Sequence, residues 1–226
     1  MPAMNKFFRD IYSARTEMDK LLILSSAFSV LLVLTRTIIT GQLFFIFLPW
    51  NLFLAAVPYF ISTKLINKPG WSGSKWKFSL VLLVWILFIP NSFYILTDLF
   101  HLKLTEGTFR WFDLTLIFSF AWNGILLGVL SVRQMEKVVS FYYKVRNQFV
   151  FLLPVMWLIA LGIYIGRFLR FNSWDVITNP LQLIKDIGYM FIHPFGHFYI
   201  WAMIGCFAVF MTIIYISIKR ISRSLV

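Results

Sequence analysis

Six stretches of this chain are long and apolar enough to cross a bilayer, and that feature limits what it can fold into more than any other. The hydrocarbon core of a membrane is about 30 Å thick, so a spanning helix needs roughly 20 mostly apolar residues. The runs predict helices over about 21–39, 44–61, 76–97, 111–132, 149–168 and 197–218. Lipid offers no partner to an unpaired backbone amide, which rules out open sheet in such segments. The chain has 226 residues, 60% of them hydrophobic and only 13% charged, whereas a soluble domain carries about a quarter charged residues. An all-α, polytopic membrane protein with six transmembrane helices is expected. Residues 1–226 then form a single transmembrane domain, with no length left over for a soluble one. Residues 1–20 are mixed polar and basic, with no small-residue cleavage site after them. They read as a cytoplasmic segment before a retained signal anchor.

Lysine and arginine set the expected orientation. One side holds Lys6, Arg9, Arg15, Lys20, Lys64, Lys68, Lys75, Lys77, Arg133, Lys137, Lys144, Arg146, Lys219, Arg220 and Arg223. The other holds only Arg36, Lys103, Arg110, Arg167, Arg170 and Lys185. The positive-inside rule makes the first side cytoplasmic, with both termini on it. The net charge of +12 is thereby explained by topology. Without an aromatic–basic motif, a phosphate loop or zinc-finger spacing, no nucleic-acid partner is expected. Membrane lipids are the expected partners, in an inner membrane. Cys206 is a lone thiol in an apolar run and reads as a packing residue.

All three histidines fall on the outer side by this count. Asn91, Tyr94, Asp98 and His101 are spaced three, four and three apart, which puts them on one face of a helix. Thr97 lies beside them, four residues before His101. A polar stripe on an apolar helix turns toward the bundle interior or water. Asp113 opens the fourth helix at the same depth, where it is either a helix cap or part of the site. The sixth helix opens with His193-Pro194-Phe195-Gly196-His197, where proline suits the first helical position. Two histidines four apart on a helix can share one metal ion. His101, His193 and His197 would then hold zinc or another divalent metal, with Asp98 or Asp113 as fourth ligand or base. Arg167 and Arg170 lie three apart and suit a phosphate or carboxylate; paired with Asp175 or Asp113, they would be structural instead. Asn172 and Asp175 complete the candidate substrate contacts. The loop 169–196 is the longest connection, and Leu181–Met190 within it reads as an interfacial helix. Asn51 and Asn123 lie deeper, either bonding helix to helix or lining a polar path.

Four segments carry a resemblance. They are Pro90-Asn91 through His101, Trp111-Phe112-Asp113, Ser119 to Gly124, and Gly166 to Asp175. Together they resemble the bacterial membrane family known as domain of unknown function 1361, over most of the chain from the second helix onward. That resemblance implies membrane class and bacterial origin, and no activity. The order Thr97-x-x-x-His101, Asp113, His193-x-x-x-His197 is also similar to the zinc-ligand order of alkaline ceramidases and adiponectin receptors. This second likeness implies hydrolysis of a lipid amide by zinc-bound water. It has departures: six helices rather than seven, Thr where those proteins carry Ser, and a site on the outer side.

Three functions stay open at this level. The first is a metal-dependent hydrolase or transferase acting at the outer face on a lipid or lipid-linked substrate. The second is a transporter or flippase, for which a homo-oligomer would make up for the short chain without repeats. The third is a non-catalytic subunit of an envelope complex.

Overall fold

The computed structural model describes residues 2–67, 75–104, 110–145, 147–171 and 175–224, with side chains of the first helix described from Glu17 onward. The elements are α1 (Pro2–Thr40), α2 (Phe47–Asn67), α3 (Lys75–Tyr94), a 3₁₀ segment (Ile95–Leu104), α4 (Arg110–Tyr143), α5 (Gln148–Arg167), the single turn α6 (Asp175–Thr178), α7 (Pro180–Ile192) and α8 (Phe198–Ser224). No strand occurs among the described residues, so the fold is all-α.

Five helical stretches are long and apolar enough to cross a membrane: Glu17–Thr40, Trp76–Leu102, Arg110–Tyr143, Gln148–Arg167 and Phe198–Ser222. The expected second span is not among them, and its composition explains why. α2 carries Pro49, Asn51, Pro58, Ser62, Thr63 and Lys64, which lower its hydropathy. It packs mainly on α3 and α4. Much of it faces other helices, with Leu48, Leu52, Ala55, Pro58, Tyr59, Ser62, Thr63, Leu65 and Ile66 all buried. A helix shielded by its neighbours can carry polar groups so long as they find partners. Ser62 Oγ donates to Gln134 Oε1 at 2.7 Å, and Trp85 Nε1 donates to Ser131 Oγ at 2.8 Å.

α3 is wedged between α4 and α5, and glycine makes the close approach possible. A Cβ on Gly124 would lie 2.5 Å from the Ser92 carbonyl, and one on Gly128 would lie 2.6 Å from the Phe93 ring. On the other side, Gly162 abuts the Pro90 ring, and a Cβ on Gly166 would lie 3.2 Å from Tyr94. Each pair is a small-xxx-small motif, the spacing that lets membrane helices meet closely.

The third span leaves α-geometry earlier than the apolar run predicts. Pro90 cannot donate to the carbonyl four residues back. Beyond Tyr94 the backbone tightens into ten residues of 3₁₀ helix. Runs of that length are uncommon and mark strain or function. At three residues per turn, positions three apart eclipse, so Asp98 and His101 line up while Thr97 faces elsewhere. A helix does stand where one is expected at 181–190: it is α7, started by Pro180 at its first turn. It seats Met190 in a cluster with Ala160, Tyr164, Ile204 and Ala208 of α5 and α8. Leu181, Ile184, Phe191 and Ile192 on its other side are exposed.

At the Lys219 end of the bundle, α4 and α8 are joined by a buried ion pair. Lys219 Nζ donates to Glu136 at 2.6 and 2.8 Å and to Gln148 Oε1 at 2.7 Å, and the Tyr215 hydroxyl donates to Glu136. At the opposite end Arg36 of α1 holds Asp113 of α4 through Nε at 2.6 Å and Nη2 at 3.2 Å.

Candidate functional site

A cavity of about 460 Å³ runs along one face of α3 between α2 and α5. On α3 and the 3₁₀ segment its lining residues are Ile86, Leu87, Pro90, Asn91, Tyr94, Asp98 and His101. α2 adds Phe47, Asn51 and Leu54, and α5 adds Leu158, Leu161, Gly162, Ile165, Gly166 and Arg167. Phe171 and Leu183 close the end near α7. The cavity is polar at that end, with Asn51, Asp98, His101 and Arg167, and apolar toward Leu54, Ile86, Leu87, Leu158 and Leu161.

Asp98 organises the polar end. It is 1% exposed, yet its carboxylate is only partly satisfied. Asn51 Nδ2 donates to Oδ2 at 2.9 Å. Oδ1 lies 3.6 Å from Arg167 Nη1 and 3.8 Å from His101 Nδ1, both too long for hydrogen bonds. His101 Nδ1 sits 3.1 Å from the Asp98 carbonyl. With the Nδ1 proton donated there, Nε2 is left as the acceptor. The His101 ring packs on Phe47, with centroids 5.1 Å apart. The Arg167 guanidinium lies over the Phe100 ring at 5.5 Å, a contact that holds a cation without using its N–H donors. Among the described residues, the Arg167 side chain makes no hydrogen bond.

The structure brings Asn91, Tyr94, Asp98 and His101, expected on one face, into one cavity with Arg167 of α5. The other candidates stand elsewhere. Thr97 is buried and its hydroxyl donates to the Tyr94 carbonyl at 2.7 Å. Asp113 is buried against Arg36, so it is a structural ion pair rather than a base in the cavity. Arg170 falls beyond the end of α5 in a left-handed conformation (φ 61°) and is exposed, so the three-residue spacing from Arg167 no longer means a shared face. The turn it makes brings the Phe171 N–H to the Ile165 carbonyl at 3.2 Å. Asp175 accepts from Thr178 Oγ1 at 3.0 Å within α6. Asn172 lies outside the described residues.

The three histidines do not gather. His193 caps α7 and α8 begins only at Phe198, so the two histidines span a turn instead of one helical face. Pro194 explains the break, since a proline disfavours helical backbone at the residue before it. His193 Nδ1 is 3.2 Å from the Tyr189 carbonyl. The rings of His193 and His197 flank Tyr189 at 4.4 and 5.5 Å. Among the described residues, no three His, Cys, Asp or Glu side chains are placed to hold a metal ion. The residues present therefore do not fit the zinc set expected from His101, His193 and His197. The likeness to the ceramidase and receptor ligand order does not extend to their arrangement in space.

Asn51 is the cavity residue whose role its position alone left open. The nearest sequence signal was a lone amide in an otherwise apolar helix. Asn123, the other deep amide, lies between α4 and α1, donating to Ser29 Oγ at 3.0 Å. A model of one family matches residues 50–216. The chain belongs to the family described as Protein of unknown function (DUF1361). The match covers every cavity residue except Phe47. No curated protein and no solved structure matches the chain.

Proposed function

We propose that this member of the family is a membrane-embedded hydrolase or transferase that takes a lipid or lipid-linked substrate into the α2–α3–α5 cavity. The observation that carries the reading is the cavity's polarity gradient, with a buried, half-satisfied Asp98 at one end and apolar walls at the other. The charge asymmetry of the sequence puts the polar end on the outer side of the membrane and α2 across the bilayer as the sixth span, with both termini inside. The substrate's polar group would meet Arg167, whose donors point to an anion or a polarised oxygen. His101 Nε2 would take the proton of an attacking water or alcohol, and the Asp98 carbonyl fixes the tautomer that makes it an acceptor. Asp98 itself stabilises the imidazolium that forms.

Transport is supported less well. Asn123 stands apart from the cavity, and past Leu87 the bundle is filled by Trp85, Phe78, Met135, Leu152 and Tyr215. The test is incubation of the full chain in liposomes of a total membrane lipid extract, read by mass spectrometry. Wild type should release a new product that His101→Ala and Arg167→Ala do not. A lipid carried between leaflets with no product formed would sink the enzyme reading.

A further inference from the structure

The polar end of the cavity holds two opposite charges, and their geometry limits what can bind there. Asp98 Oδ1 and Arg167 Nη1 are 3.6 Å apart, close enough to attract but too far to satisfy one another. Asp98 Oδ1 faces the cavity without a hydrogen bond, and a carboxylate oxygen left so is costly away from water. It calls for a donor. Arg167, held by Phe100, keeps its fork free and calls for an acceptor. A simple anion would satisfy Arg167 but face Asp98 at close range. A simple cation would do the reverse.

The rest of the cavity says how such a molecule arrives. α2 and α5 both pack on α3, but the two share no substantial contact with each other. A slot is left between them over the α3 face. Leu158 is 39% exposed on its wall, and Ile86, Leu87 and Leu161 are partly exposed. Every one of these residues lies in a candidate span, so the slot opens sideways to lipid. Past Asn91 and Leu54 the slot is lined by Ile86, Leu87, Leu158 and Leu161, with no polar residue among them.

Resting on the reading of the cavity as a lipid site, we propose that its occupant is a phospholipid whose headgroup carries an N–H or O–H donor next to the phosphate. The phosphate is held by Arg167, the headgroup donor by Asp98 Oδ1, and one acyl chain lies in the slot between α2 and α5. Ethanolamine and glycerol headgroups both meet this description. A choline headgroup has no donor and does not.

The test titrates the detergent-purified full chain with ethanolamine, glycerol and choline phospholipids of identical chains, read by native mass spectrometry. The first two are expected to bind roughly tenfold or more tighter than the third, the effect of one hydrogen bond to a charged group. Leu87→Trp, which fills the chain slot, should abolish binding of all three. Asp98→Asn should erase the preference. If that variant does not fold, Arg167→Gln at the rim should weaken all three lipids while keeping their order. Equal affinity for choline lipid that is still lost in Leu87→Trp would overturn the headgroup inference and leave the cavity reading standing. Binding indifferent to Leu87→Trp would overturn both.

Discussion

Replacing Gly162 with alanine should damage both the fold and the cavity, and the size of the damage follows from what the new methyl meets. Its Cβ would sit 2.7 Å from Pro90 Cβ and nearer still to Pro90 Cγ. Carbon atoms pack comfortably at about 3.5–4.0 Å, so α3 and α5 must separate by roughly 1 Å. A flexible side chain could swing aside, but a proline ring cannot. Nor can α3 retreat, because Gly124 and Gly128 already press α4 against Ser92 and Phe93 on its far side. Overpacking of this kind costs about 1–3 kcal/mol, roughly 5- to 150-fold in the folding equilibrium. Gly205 on α8 is the matched control. Its Cβ would meet nothing nearer than Trp157 at 3.9 Å, an ordinary contact. Alanine there should be neutral or gain up to about 1 kcal/mol from reduced chain entropy. Equilibrium unfolding of both variants in mixed detergent micelles measures the difference. Lipid titration of the folded fraction should also show Gly162→Ala weakened, since Gly162 and Pro90 both line the cavity. Equal stability of the two variants would refute the claim that glycine sets the α3–α5 distance.

Lys219→Met should destabilise the fold by about 3–5 kcal/mol, because it leaves Glu136 buried with only Tyr215 as partner. Adding Glu136→Met should recover part of that loss, and a double-mutant cycle in micelles giving simple additivity would refute the coupling. Arg36→Leu should cost more than Asp113→Asn, since Asp113 is 1% exposed while the Arg36 side chain, 12% exposed, can reach toward water; thermal melts of the two variants measure the order. The His193→Ala/His197→Ala double substitution should leave lipid binding and product formation as in wild type, whereas His101→Ala should abolish product. Elemental mass spectrometry on the same preparations should find no metal that the double substitution removes; stoichiometric zinc lost in it would restore the three-histidine site.

The spacing of Asn91, Tyr94, Asp98 and His101 was legible because the change of helix type fell in a helpful place. A three-residue step stays on one side in both α and 3₁₀ geometry, so Asp98 and His101 remain together. The four-residue step from Thr97 to His101 does not survive the change. The same lesson applies to His193 and His197, whose four-residue spacing carries meaning only on a helix. Pro194 and Gly196 between them were the signal that the helix had stopped. Arg170 fails for a related reason, because α5 ends at Arg167. The span boundaries followed hydropathy well where helices face lipid. α2 departs because Pro49, Asn51, Pro58 and Lys64 lower its hydropathy. The partnership of Asn51 with Asp98 joins residues 47 apart and has no local signature. The two glycine pairs were visible in the sequence, and their spacing was the available clue to which helices clamp α3.

What distinguishes the Asp98 cluster from the buried ion pairs of the bundle is that its two charges stop short of each other. In hydrocarbon a polar group without a partner costs several kcal/mol, so a membrane fold consumes its polar groups internally wherever it can. This chain does so repeatedly. Glu136 is shared by Lys219 and Tyr215, Asp113 is gripped twice by Arg36, and Ser62, Ser131, Gln134 and Trp85 close on one another. Each of these joins two or more helices and touches no part of the cavity. Asp98 and Arg167 could close in the same way, since a shift of well under 1 Å would bring them to hydrogen-bond distance. Instead Asn51 holds one carboxylate oxygen on the α2 side, while Phe100 and the end of α5 hold the guanidinium on the other. The backbone under Asp98 is the tightened 3₁₀ segment that follows Pro90. A fold that keeps two opposite charges a fraction of an ångström short of each other, at the mouth of a slot open to lipid, has left the last hydrogen bonds for a ligand to make.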